Sequence, residues 1–366
     1  MQFTKRCQET IDACRFCWMC RHICPIGNAT GQERNTSRAR ALSLSLVMRD
    51  AAKLEADIVD NVYECALCGG CTADCATGWD PILFTKEARL QAALEGNMPA
   101  YVEKMLDNIE NCGNVYGEKE ICDCLKNAIK DLPAKADVQL FIGKDGAYRT
   151  PAQAAKAVEL LKAAGVSFTV DRYEPNSGYD MDFLLGAAEE ARAAMAKTAE
   201  AINALGVKTV VCYDPADAKV FLREYKEYGI ALNAEVVTFP AYLAKLIAEG
   251  ALKVKKGSAV YTVQDSPLMS RDLEDSNSVR TVLSACGDLC EMLLCGKATM
   301  LAGNLIMNQY IPHVMKLVAE NRWANAKHVG ATTVVTSCPA EYAMLASTND
   351  GSIELLSLEE AVAKCL

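Results

Sequence analysis

The stretch CRFCWMCRHICP runs from Cys14 to Pro25, and ECALCGGCTADCA runs from Glu64 to Ala76. In both, thiols recur at steps of 3, 3 and 4 residues: Cys14, Cys17, Cys20, Cys24, then Cys65, Cys68, Cys71, Cys75. Thiolates are the ligands of iron–sulfur clusters. A 4Fe–4S core takes four of them, and CxxC steps let one loop supply three. Where two quartets stand in tandem, the fourth cysteine of each reaches across to the other cluster. The spacing therefore predicts one 4Fe–4S cluster on Cys14, Cys17, Cys20 and Cys75, and a second on Cys65, Cys68, Cys71 and Cys24. Pro25 completes the Cys-Pro signature of the first quartet, whereas Ala76 follows Cys75. Zinc is the rival occupant, but zinc ribbons offer two separate CxxC pairs rather than a third and fourth thiol in the same run. Disulfides suit short secreted chains, and this one has 366 residues.

Charge beside the two loops differs. Lys5, Arg6, Arg15 and Arg21 flank the first quartet, and Glu64, Asp74 and Asp80 flank the second. Positive charge favours the reduced, more negative state of a cluster, so the cluster on the first loop is expected at the higher potential unless these are merely solvated surface charges. Trp18 and Trp79 are placed to shield the clusters from water or simply to pack, and His22 reads as an exposed loop residue.

The elements that carry these loops read as helices. RNTSRARALSLSLVMRDAAKLEADIVDNVY has a cap candidate in Ser37 and an apolar surface from Ala41, Leu42, Leu44, Leu46, Val47 and Ala51. DPILFTKEARLQAALEGN places Asp80 at the cap, Pro81 in the first turn and Gly96 near the stop. After Asp131 the texture changes. VQLFI (strand), GKDG (turn), TPAQAAKAVELLKAAG (helix) and VSFTV (strand) alternate as a mainly parallel α/β layer does, and GSAVYTV near residue 257 restarts the pattern. GVKTVVCYDPADAKVF from Gly206 aligns with GATTVVTSCPAEYAML from Gly330, an offset of 124 residues that sets Asp214 opposite Cys338 and Asp217 opposite Glu341. The expected fold is α+β and multidomain. A helical two-cluster ferredoxin-like domain over 1–100 and a helical linker over 101–136 precede two related α/β lobes over 137–256 and 257–366.

Composition narrows the function. The net charge of −9 excludes broad nucleic-acid binding, which needs a basic face. No apolar run reaches the ~18 residues of a membrane-spanning helix. The opening MQFTKRCQE lacks the apolar core of a secretory signal, which makes the cytoplasm the expected location. Contact with the inner face of a membrane would then come through a partner. Neither GxGxxG after a strand nor GxxxxGK[ST] occurs, so no nucleotide-binding motif competes with the cysteines. A GKDG phosphate cradle is a weaker reading than an ordinary turn.

The double quartet, the stretch NIENCGNVYGE and the duplicated lobes together resemble a family of iron–sulfur proteins. Its members are related to the D component of heterodisulfide reductase and to the C component of anaerobic glycerol-3-phosphate dehydrogenase. The likeness covers nearly the whole chain. In that family each lobe carries Cys…CCG…CPxC, which in catalytic members holds a non-cubane cluster. Here Lys144 stands at the early cysteine, Asn176 and Ser177 replace the CCG thiols, and Asp214 and Asp217 replace the CPxC pair. The first lobe is thus expected to be metal-free. In the second, QDSPLMSR has Pro267 at the cysteine position, LLCGKA keeps Cys295, and SCPAE keeps Cys338 with Glu341 last. Cys286, Cys290, Cys295 and Cys338 could hold a third 4Fe–4S cluster, or could be buried small hydrophobes. Cys112, Cys122 and Cys124 are expected to be structural, and Cys7, Cys212 and Cys365 isolated thiols.

The resemblance implies an electron-transfer subunit of an anaerobic multi-subunit oxidoreductase. It would carry single electrons from an FAD-dependent dehydrogenase subunit to an acceptor such as quinone, ferredoxin or a further redox subunit, with no side chain acting as a catalytic acid or base. The alternative is a catalytic heterodisulfide-reductase-like subunit with its cluster in the second lobe.

Overall fold

The computed structural model describes residues 3–15 and 17–366. Phe16 of the first cysteine loop, and Met1 and Gln2 of the opening MQFTKRCQE, lie outside the described residues. Up to residue 130 the described elements are helical, and side-chain caps mark the start of several of them. Asp80 precedes the helix Pro81–Leu94 and accepts from the Ile82 and Leu83 N–H groups at 3.1 and 3.3 Å, as the sequence predicts. The helix Ser37–Met48 starts one residue from expectation. Thr36, in an extended conformation, is the cap and accepts from Ala39, so Ser37 is already inside the helix.

Two parallel sheets follow. The first holds β1 (Val138–Phe141), β2 (Phe168–Thr169), β3 (Thr209–Cys212) and β4 (Glu235–Thr238) in the order β2-β1-β3-β4. The second holds β5 (Val260–Gln264), β6 (Asp288–Leu289), β7 (Thr333–Thr336) and β8 (Glu354–Ser357) in the order β6-β5-β7-β8. The orders are the same, with the first strand of each sheet lying between its second and third. The repeated Gly-x-x-Thr-Val-Val stretches become β3 and β7, the interior strands that pair on both sides. Burial on both faces is why they read as short unbroken apolar runs. The GKDG stretch differs from expectation, since Gly143–Tyr148 is a short helix rather than a turn.

The cysteine-bearing helices do not close a core of their own. One continuous buried cluster runs from Phe3 and Cys7 through Phe84 and Phe183 to Leu305 and Met344. The Tyr63 hydroxyl donates to the Leu184 carbonyl at 3.0 Å, and Lys86 pairs with Asp182 at 2.5 Å. At Gly186 the chain passes so close to the helix Pro81–Leu94 that an added Cβ would lie 2.6 Å from the Lys86 carbonyl oxygen. A second buried cluster joins the sheets directly, setting Leu160, Val211 and Leu243 in one core with Tyr261, Leu283 and Val362.

Candidate metal centres

The two cysteine loops turn in the same way. In each, the residue after the second cysteine takes a left-handed backbone: Trp18 at φ 73°, ψ −2° and Gly69 at φ 70°, ψ −1°. A short helix follows at once, Met19–Ile23 and Gly70–Ala73. This reversal folds the three thiols of each run around one space. Glycine reaches it freely, whereas tryptophan is held there at some cost.

Two cavities result, and each draws its fourth cysteine from the other loop. Cys14, Cys17, Cys20 and Cys75 line one, beside Trp18 and Trp79. Cys24, Cys65, Cys68 and Cys71 line the other. The two are nearly equal in empty space, about 400 and 390 Å³ with their open rims counted. They differ in depth. Cys17, Trp18 and Met19 of the first are exposed, so that site lies at the surface, while the second is roofed by Ile26, Leu67 and Ile82.

Burial dominates the thiol chemistry of the inner site. It pushes Cys24 up to about 11, against the pull of Arg40, and pushes Cys71 well above its usual value, with the neighbouring cysteines adding. Burial also raises Cys68, opposed by Arg271. At the outer site burial raises Cys20. Burial likewise acts upward on Cys75, but the Thr77 hydroxyl and the Thr77 and Trp79 N–H groups outweigh it and bring the thiol below its usual value. An isolated thiolate in the inner site is costly; thiolates shared with a metal core are not.

An orphaned donor tests the fit. Arg40 is 1 % exposed and lines the inner cavity with the four cysteines. Its Nε donates to the Asn61 carbonyl at 2.7 Å, yet its Nη2 has no partner. A buried guanidinium with a free N–H calls for an anionic neighbour, and a core ligated by four thiolates is one. The residues present fit such a group. Among the described residues no three His, Cys, Asp or Glu side chains converge as ligands of a single metal ion.

The charges around the loops differ from what the linear sequence suggests. Glu64 is taken up by Arg34 and Asn35, and Asp80 by its helix cap and Thr72. Three arginines instead serve the inner site: Arg40, Arg89 and Arg271. Arg89 is wholly buried, donating to the Cys65 carbonyl at 2.6 Å and the Phe183 carbonyl at 2.6 Å. Arg271 donates to the Cys68 carbonyl at 2.8 Å. Arg40 was legible as a lone cation on the apolar face with Ala41, Leu44 and Val47. Arg271 comes from the second lobe and closes the QDSPLMSR stretch, but nothing local to it points to the cysteine loops. At the outer site Arg38 lies 3.9 Å from the Trp18 ring centroid and Arg21 lies 5.4 Å away.

The structure does not gather the other four thiols, which could have held a third cluster or served as buried small hydrophobes. Cys286 ends the helix Ser278–Cys286 and its carbonyl accepts from the Cys365 thiol at 3.5 Å. Cys290 follows β6, and its N–H extends the ladder to the Tyr261 carbonyl at 2.9 Å. Cys295 lies beside Glu291, and Cys338 faces a different cavity with Asp145 and Asp214. The four diverge because β6, which leads to Cys290, is an edge strand, whereas β7, which leads to Cys338, is interior to the sheet. Cys122 and Cys124 form a disulfide at the start of the helix Asp123–Ile129, a local pairing rather than a framework. The first-lobe substitutions do come together: Lys144, Asn176, Ser177, Asp214 and Asp217 line one small buried cavity.

Residues 10–79 match the 4Fe–4S dicluster domain, which agrees with the two four-cysteine cavities. The EtfAB:quinone oxidoreductase of Syntrophomonas wolfei subsp. wolfei is 26% identical over 244 residues, 62% of this chain and 34% of that protein. The chain therefore spans about a third of the length of the curated relative it matches. Among solved structures, glutamate racemase RacE1 of Bacillus anthracis gives a TM-score of 0.29 at 14% identity, covering 62% of this chain and 78% of that one. Picrophilus torridus aspartate racemase gives 0.30 at 8% identity, covering 62% and 89%. No helix among the described residues is long and apolar enough to cross a membrane.

Proposed function

We propose that the chain is the electron-transfer subunit of a larger oxidoreductase, with one 4Fe–4S cluster on Cys14, Cys17, Cys20 and Cys75 and another on Cys24, Cys65, Cys68 and Cys71. The observation that carries this reading is the exchange of the fourth cysteine between two cavities of matched size. Such clusters supply one-electron storage and transfer when bound. The protein's own share is to bind them through thiolates, to set their charge environment and to keep water out. Arg40, Arg89 and Arg271 place positive charge at the inner site, while Trp79 closes the outer site from within.

The relative's name supports a flavoprotein as electron donor and quinone as acceptor. On that basis a flavoprotein docks at the exposed outer site and the α/β lobes support further contacts. Membership of the heterodisulfide reductase and glycerol-3-phosphate dehydrogenase group is part of the same proposal, as is a cytoplasmic position that meets the membrane only through a partner. The catalytic alternative loses support because the second-lobe thiols do not converge.

Anaerobic purification with iron counting and EPR tests the reading. About eight irons per chain are expected, four per cluster. Cys20→Ala should remove one EPR signal and Cys71→Ala the other. A colourless zinc-loaded chain, or loss of both signals to either change at equal protein folding, would overturn it.

A further inference from the structure

The carboxyl ends of four strands meet in one place. Asp145 follows β1, Asp214 follows β3, Ser266 follows β5 and Cys338 follows β7, and all four line one small cavity that also touches Tyr179 and Cys68. In each sheet these are the two strands between which the strand order reverses, the position where parallel sheets place functional groups. A neighbouring cavity shares Tyr179 and Asp214 and adds Asp180, Asp217 and Lys144. Lys144 and Asn176 in turn line a wide cavity of about 1650 Å³, its open rim counted, beside the exposed Tyr173. Three cavities that share lining residues thus lie between the surface and the wall of the inner cysteine site.

The two inner cavities are lined by buried carboxyl groups. Asp145, Asp180, Asp214 and Asp217 are all buried. The one lysine among them, Lys144, gives its ammonium to the Glu174 backbone carbonyl at 2.6 Å. The Asp145 Oδ2 and Asp217 Oδ2 atoms have no partner, and neither has Ser266 Oγ, buried in the same wall. Four ionised carboxylates cannot share such a space with only Lys144 among them and Arg149 beside Asp145, so protons supply the missing charge. No three of these side chains converge as ligands of one metal ion. The bound species that fits is the proton.

We propose that this carboxyl cluster is a proton-binding site that takes up one proton from water in the wide cavity when the site at Cys24, Cys65, Cys68 and Cys71 accepts an electron. The proposal rests on the two-cluster reading above. The electron comes from a one-electron donor, a reduced flavin in the proposed complex. One O–H bond of hydronium breaks, one O–H bond forms on a carboxylate oxygen of Asp145 or Asp214, and the summed charge of the two sites stays unchanged.

The surroundings agree. Burial, reinforced by neighbouring carboxylates, pushes Asp145 and Asp214 up to about 8, and Asp217 well above its usual value. Asp145 accepts from the Tyr116 hydroxyl and faces Arg149, and Asp180 accepts from Asn176 at 2.7 Å. Asp217 faces Lys144 and Ser177, and Glu174 and Cys212 lie alongside. From the second lobe come Cys338 and, behind it, Glu341. Lys219 lies 5.9 Å from the Tyr179 ring centroid, and Tyr213 and Tyr225 close the floor. Cys68 lines the same cavity as Asp145 and Asp214, and the charges acting on its thiol are those of Arg271, Cys65 and Asp272. Coupling is therefore through space, by the electron's added negative charge.

Redox titration of the iron-loaded full chain, followed by EPR from about pH 6 to about pH 10, tests this. One of the two signals should fall in potential with pH, approaching a tenfold change in the reduction equilibrium per unit, 59 mV for one electron. Asp214→Asn and Asp145→Asn should each flatten that slope and leave the other signal unmoved. Infrared spectra of the wild type at neutral pH should show the carbonyl band of protonated carboxyl groups, weakened in each variant. The wild-type potentials decide even where a variant does not fold, because other buried carboxyls such as Glu341 also contribute to that band. Iron-loaded protein with two pH-independent potentials, or an undiminished slope in both variants, overturns the proposal alone. An iron-free chain overturns the two-cluster reading and this proposal together.

Discussion

The guanidinium of Arg271 donates to the backbone carbonyl of Cys68 at 2.8 Å across a sequence separation of 203 residues. Its Nε donates to the Lys297 carbonyl at 2.9 Å and its Nη2 to the Thr299 carbonyl. One side chain thereby ties the second cysteine loop to the second lobe. Arg271→Met should free three carbonyls, of which one lies at the inner site. A loss of about 1–3 kcal/mol is expected by urea unfolding. The potential of the inner-site EPR signal should become more negative, with the outer signal unmoved.

Arg40 makes a different prediction because its Nη2 has no partner among the protein's own groups. With an anionic core bound, Arg40→Met removes a buried charge partner, and a penalty of about 3–5 kcal/mol is expected. Without the core, the same change removes a buried cation with an unmet donor and should cost much less. Unfolding curves of iron-loaded and iron-free protein give the two values. Equal losses would contradict an anionic occupant.

Gly186 is a point of close backbone approach between the helix Pro81–Leu94 and the first lobe. Its φ of +63° disfavours a side chain, and an added Cβ would meet backbone rather than a movable side chain. Gly186→Ala should cost roughly 2 kcal/mol or more. Because the contact joins the cysteine-bearing helices to the lobe, one cooperative transition should move as a whole. Loss of only the helical part in the variant would show that the two halves unfold separately.

Glu341 makes stability depend on pH. Burial, against hydrogen bonds from the Ala302 N–H and Gln264, pushes its carboxyl up to about 8 from an ordinary 4.5. A carboxyl raised in the folded state stays protonated there while the unfolded chain ionises. Its contribution is therefore fully present below about 4.5 and is lost as pH rises towards 8. The slope from one such group is at most ~1.4 kcal/mol per pH unit. Glu341→Gln keeps the shape and should flatten that part of a stability profile measured by denaturant titration across this range.

Much of the site was legible in the chain itself. The 3, 3, 4 spacing selects which cysteines share a loop, because the reach of three or four residues is set by local backbone geometry. Asp80 and Pro81 start their helix for equally local reasons, and the repeated Thr-Val-Val runs are strands wherever they are buried on both faces. The repeat also placed Asp214 opposite Cys338, and in the folded chain those two residues line the same cavity.

Tertiary structure alone decided the rest. Glu64 and Asp80 flank the second loop in sequence, yet each is consumed by its own neighbours, and the charge that reaches the inner site belongs to Arg40, Arg89 and Arg271. Cys286, Cys290, Cys295 and Cys338 belong to one lobe's pattern, yet an edge strand and an interior strand send them to different surroundings. Adjacency along the chain governs turns, caps and ligand reach within a loop. The field at a buried point is a sum over whatever the packing brings within a few ångströms, and no local spacing records that.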